Sequence, residues 1–104
     1  MDRTDAIAQL RAGLLDAAAE RDWDRLGAGT RALAPQLARL GAGGPWNGAE
    51  RRALAQLRDA HDLAAATCAT AVEALARRLD EMRANKEGWI AYALDNELAD
   101  IANP

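Results

Sequence analysis

The chain has 104 residues, a formal net charge of −3 and a hydrophobic fraction of 50%, most of it alanine and leucine. Aromatic residues make up only 4% and acidic and basic side chains are interspersed, which excludes the basic footprint of nucleic-acid binding and a cationic membrane-surface helix. No apolar run approaches the ~18 residues of a membrane span, and the single cysteine, Cys68, excludes an intrachain disulfide and a cysteine-built zinc site.

Alanine and leucine are the strongest helix formers, and β-branched residues are scarce, so the chain is expected to be all-α. The first helix is expected over about 4–20. Thr4 can cap its free N–H groups, and Asp5 suits its positive end. Ile7, Leu10, Leu14 and Ala17 then share one face, widened by Leu15 and Ala18. The junction "AERDW" is short and offers Asp22 as a second cap, so the next helix, about 22–40, should run antiparallel to the first. Its apolar seam is Trp23, Leu26, Thr30, Leu33, Leu37 and Leu40. Trp23 and Leu26 open that seam as structural anchors. Gly27, Gly29 and Pro35 lie within the same helix, where each Gly costs about 1 kcal/mol relative to Ala and an interior Pro about 3.

The stretch "GAGGPWNG" at 41–48 has four glycines and a proline and ends the second helix. It lacks the Lys-Ser/Thr of a phosphate loop and reads as a flexible connector. A third helix follows over about 49–87, free of Gly and Pro, with Leu54, Leu57, His61, Ala64, Cys68, Val72, Leu75, Leu79 and Met82 on its inner face. At 1.5 Å per residue it spans roughly 55–60 Å, which makes the expected fold an elongated antiparallel bundle of three main helices. Gly88 marks an expected break. Beyond it, "WIAYALDNELADIANP" reads as a short helical tail, flexible from about 88, on a single domain of residues 1–104.

Catalytic chemistry finds little foothold. His61 is the only histidine and the chain has no serine, so a general base would lack a partner nucleophile. Cys68 has Ala64, Ala65, Ala71 and Val72 at helical spacing and no cation to activate it, the setting of an inert packed thiol. The acidic pairs Asp80–Glu81 and Asp95–Glu97 have no histidine partner and read as solvated faces, while Glu50 and Glu81 can pair with the nearby Arg-Arg dipeptides at 51–52 and 77–78. No catalytic residue, metal or cofactor is expected. Trp46, Trp89 and Tyr92 lie outside the seams, either as partner contacts or as lids on the bundle ends. The first residues, "MDRTDAIAQL", lack the apolar core of a signal peptide, so the expectation is a cytoplasmic protein without membrane insertion.

The helix order, the junction "ERDWDRL" with its Trp-Asp-x-Leu at 23–26, and "WIAYA" after the long helix resemble the FliT-type flagellar export chaperones over roughly residues 5–94. The resemblance implies a small helical protein of the cytosol that is not an enzyme. It implies that the chain binds the C-terminal segment of the flagellar filament cap protein and visits the export ATPase complex and the export gate. The client groove would be lined by Leu33, Leu37 and Leu40 of the second helix with Leu54, Leu57 and His61 of the third, made pliable by Gly27, Gly29 and Pro35. Tyr92, with Trp89 beside it, would dock on the export gate. The alternative is a self-associating helical bundle, or adaptor, that uses the same faces to form a homodimer and has no client.

Overall fold

The structure is a computed structural model that describes residues 2–102, with side chains as far as Leu98. It is all-α: three helices, α1 (Arg3–Ala19), α2 (Trp23–Gly41) and α3 (Gly48–Ala102). The chain divides into two units, Met1–Thr70 and Ala71–Pro104.

Each helix of the first unit starts on a side-chain cap. Asp2, not Thr4, caps α1: in extended conformation its carboxylate accepts from the Thr4 N–H at 2.9 Å. α1 closes on Arg21 at φ 56°, with Asp22 N–H donating to the Ala17 carbonyl and Arg21 N–H to that of Ala18. This is the two-bond closure that usually employs glycine at the left-handed position. Asp22 then caps α2 as expected, accepting from the Arg25 N–H at 3.1 Å. Asn47 and Glu50 cap α3 reciprocally. The Asn47 side chain accepts from the Glu50 N–H at 2.8 Å, and the Glu50 carboxylate accepts from the Asn47 N–H at 2.9 Å.

The core of this unit is thin and rich in alanine. Ile7, Leu14, Ala17 and Ala18 of α1, Leu26 of α2, and Ala53, Leu57, Ala60 and Ala64 of α3 are buried. Leu10, Trp23, Leu33, Leu37, Leu40, Trp46, Leu54 and Cys68 pack against them half-buried. α1 and α2 run antiparallel: the start of α1 meets the end of α2 through Arg3 and the Leu40 carbonyl, and Leu14 faces Gly29.

α2 is not interrupted by its breakers. Gly29 serves packing: a Cβ there would stand 3.3 Å from Leu14 Cδ2, so the missing side chain lets the two helices approach. Gly27 is different, because its Cβ would meet only the tip of Arg31 at 3.2 Å, which can swing aside. Pro35 sits on the exposed side, where the carbonyl it leaves free is open to water. Gly27→Ala should therefore raise the melting temperature by roughly 5 °C, since it gains about 1 kcal/mol of helix propensity without a clash. Gly29→Ala should gain less or lose stability, because buried Leu14 has no room to yield. Thermal unfolding of the two variants checks this. A Gly29 variant that melts as high as the Gly27 variant would remove the packing role.

In the second unit the residues beyond Gly88 are helical as expected, but α3 continues through Gly88, so the expected break is absent. One helix-interior glycine costs about 1 kcal/mol, and the good helix formers around it, Ala84, Lys86, Glu87 and Ala91, outweigh that. Val72, Leu75, Leu79 and Met82, expected on an inner face, are more than half exposed, as are Trp89, Tyr92, Leu94 and Leu98.

Candidate partner-binding site

The expected groove does not open where the seam placed it. Leu57 is core, 3% exposed, and Leu33, Leu37, Leu40 and Leu54 pack around the buried cluster. These leucines point into the bundle because α1 lies over the same face and takes up the apolar stripe that a client would need. Of the six residues, His61 alone borders the cleft described next.

That cleft lies between α2 and α3, nearer the start of α2. Trp23, Leu26, Gly27, Thr30 and Arg31 form one wall and His61, Ala64, Ala65 and Cys68 the other, around about 300 Å³. Its depth comes from small residues: Gly27 has no side chain, and two alanines face it across the gap. Leu26 is buried and Trp23 packs half-buried on the core, and both also present surface to the cleft. His61 is half exposed, with Nδ1 3.8 Å from Asp62 Oδ1, and the Cys68 thiol of the same lining lies two helical turns further along α3. The cleft can hold apolar side chains of a partner, with Thr30, Arg31 and His61 at its rim for polar contacts.

A second feature escaped the sequence reading. Arg3 spends its guanidinium on the far end of the bundle. Nε and Nη2 hold the Glu50 carboxylate, Nη2 also reaches the Pro45 carbonyl, and Nη1 donates to the carbonyls of Leu40 and Gly44. The cation also stacks over Trp46, 4.4 Å from the ring centroid. Glu50 is thus the partner of Arg3, 47 residues away, and not of the neighbouring arginines. Arg3, and secondarily the Asn47 N–H, hold its carboxyl below the usual range, although burial pushes the other way. Two carbonyls of the connector 42–47, those of Gly44 and Pro45, are tied to Arg3, and Gly44 takes φ 118°, a conformation other residues avoid. Trp46 closes the bundle end, so it is a lid. The available signal was the Asn-x-x-Glu capping pattern at 47–50, which fixes where the Glu50 carboxylate sits.

Trp89 and Tyr92 pair edge to face on α3, centroids 6.2 Å apart at 88°. Both are largely exposed, and with Ala84, Asn85 and Gly88 they border an open notch. Among the described residues no group of three or more His, Cys, Asp or Glu side chains converges, and no helix is long and apolar enough to cross a membrane.

No protein-family model, no curated protein and no solved structure matches the chain. The site therefore rests on its own geometry.

Proposed function

We propose that the chain is a cytoplasmic flagellar export chaperone of FliT type, which binds the C-terminal segment of the filament cap protein and delivers it to the export ATPase complex and export gate. The observation that carries this reading is the open apolar cleft of Trp23, Leu26, Ala64, Ala65 and Cys68, which fits one face of an amphipathic helix anchored at i, i+3, i+4 spacing. The client seat thus moves from the leucines of the seam to this cleft. The reading requires no catalytic step, cofactor or metal. Trp89 and Tyr92 present large exposed ring area, suited to insertion into an apolar depression of the gate with the Tyr92 hydroxyl left hydrated.

Ala65→Arg tests the seat. Ala65 is exposed, so the fold should be retained, while the added charge would have to be desolvated under the client. Calorimetry with the cap-protein segment should show binding weakened at least about tenfold, with an unchanged circular dichroism spectrum. Unchanged affinity in the folded variant removes the cleft as the client site. No binding by the wild-type chain removes the chaperone reading itself.

A further inference from the structure

Asn47 is the one asparagine that a glycine follows; Asn85, Asn96 and Asn103 precede Lys, Glu and Pro. In an Asn-Gly pair the glycine amide nitrogen can reach the asparagine side chain, because no Cβ crowds its approach. The fold leaves both partners of that reaction accessible. Asn47 and Gly48 are exposed, and Gly48 is the first residue of α3, so its N–H has no acceptor within the helix. A Cβ at Gly48 would meet only Arg52 Nη1, at 3.6 Å, so packing does not require glycine there.

We propose that Asn47–Gly48 is a self-modification site, at which the chain deamidates when the Arg3 latch at this end of the bundle opens. The Gly48 nitrogen bonds to Asn47 Cγ, and its proton ends on the leaving Nδ2, which departs as ammonia when the Cγ–Nδ2 bond breaks. A five-membered imide remains. Water then opens it at one of two bonds. Breaking N–Cγ leaves aspartate at 47. Breaking the bond from the nitrogen to the main-chain carbonyl carbon leaves isoaspartate, whose main chain runs through Cβ and Cγ. No electrons are gained or lost.

The structure shows what holds the reaction back. The ring closes only when the 47–48 peptide plane turns over Asn47 Cγ. Three hydrogen bonds oppose that turn. The Asn47 carbonyl accepts from the Arg51 N–H at 2.9 Å, its side chain accepts from the Glu50 N–H at 2.8 Å, and its own N–H donates to the Glu50 carboxylate at 2.9 Å. Glu50 is in turn fixed by Arg3, which also holds the Gly44 and Pro45 carbonyls just ahead of Asn47. Arg3 thus guards a bond more than forty residues away. Aspartate at 47 can still cap α3, but it adds a carboxylate where Arg3 already serves Glu50. Isoaspartate lengthens the backbone and loses the reciprocal cap. Either product weakens the closure that had protected the bond.

The test uses the full chain and does not depend on the client reading. Samples aged in mildly alkaline buffer are briefly digested with trypsin. The Leu40–Arg51 peptide is then followed by mass spectrometry for a gain of about 1 Da and for a separately eluting isoaspartyl form. In wild type the gain should appear at Asn47 at least about tenfold more slowly than in the same chain unfolded in guanidinium chloride, because only the open fraction reacts. Arg3→Ala should move the rate severalfold toward the unfolded one, at a temperature where the variant remains folded. Leu14→Ala, a core change about 16 Å further along α1, lowers overall stability without touching the cap and should leave the rate near wild type. Gly48→Ala should suppress the reaction even in the unfolded chain, as the imide route requires. Equal acceleration by Arg3→Ala and Leu14→Ala would assign the reaction to global unfolding and overturn the latch. A folded wild type that reacts as fast as the unfolded chain overturns it too. An Asn47 that stays intact in both wild type and Arg3→Ala, while the unfolded chain reacts, overturns the site.

Discussion

Leu57→Glu should unfold the Met1–Thr70 unit. Leu57 is 3% exposed at the centre of the cluster formed by Ile7, Leu14, Leu26 and Ala64. Removing a buried leucine costs about 2–5 kcal/mol through lost transfer energy and the cavity left behind. A carboxylate in its place must be desolvated without a partner, at several kcal/mol more. Those losses match or exceed the ~5–10 kcal/mol that holds a small domain together. Tryptophan fluorescence, dominated in this unit by Trp23 and Trp46, should show an unfolded spectrum at room temperature. Leu75→Glu, a change to the same helix at a position 56% exposed, should leave that spectrum native. A Leu57→Glu chain that melts within a few degrees of wild type would show that the residue does not carry the core.

Arg3→Ala should produce the next largest loss, although the residue lies near the chain start where substitutions are usually tolerated. It removes the hydrogen bonds from Arg3 to Glu50 and to the carbonyls of Leu40, Gly44 and Pro45, and leaves a carboxylate that is 5% exposed without its cation. The position is electrostatically apt twice over, with Arg3 at the negative C-terminal end of α2 and Glu50 in the first turn of α3. Charge-assisted bonds of this kind justify a fall in melting temperature of roughly 10 °C. Arg3→Lys should recover only part of it, because an ammonium cannot reproduce the fork.

The same pair sets the response to acid. The Glu50 carboxyl is held below its ordinary value in the folded chain, so its contribution is complete above the unfolded carboxylate range, about 4.3. It is lost as pH falls through the lower folded value. Melting temperature measured across that window should drop in the wild type and flatten in Glu50→Gln, which keeps the capping geometry. Equal acid slopes in the two proteins would assign the response to other carboxylates.

Local chemistry made much of the fold legible in the sequence. The positions of Ile7, Leu10, Leu14, Ala17 and Ala18 at 3.6-residue spacing named the buried face of α1, because a helix exposes such a stripe to a single neighbour. Asp22 and the glycine-rich 41–48 marked the helix ends through backbone groups that only nearby atoms can satisfy. The all-α class followed from propensity summed along the whole chain. The errors came where an interaction spans the chain. Periodicity showed that Leu57 and Leu75 share a stripe, yet one is core and the other is exposed, since burial depends on which helices lie over each turn. Gly29 read as a weak point until Leu14 was seen against it, because the cost of a glycine is local and its benefit belongs to another helix. Glu50 looked like a partner for its arginine neighbours, and Gly88 looked like a stop. Tertiary placement gave Glu50 to Arg3, and the helix formers around Gly88 carried α3 past it. Sequence spacing thus determined which residues share a helix face. Only the packing of helices decided which of those faces are closed, which stay open as a cleft, and which stripe remains exposed, because burial is a property of pairs of surfaces and a linear pattern describes one surface at a time.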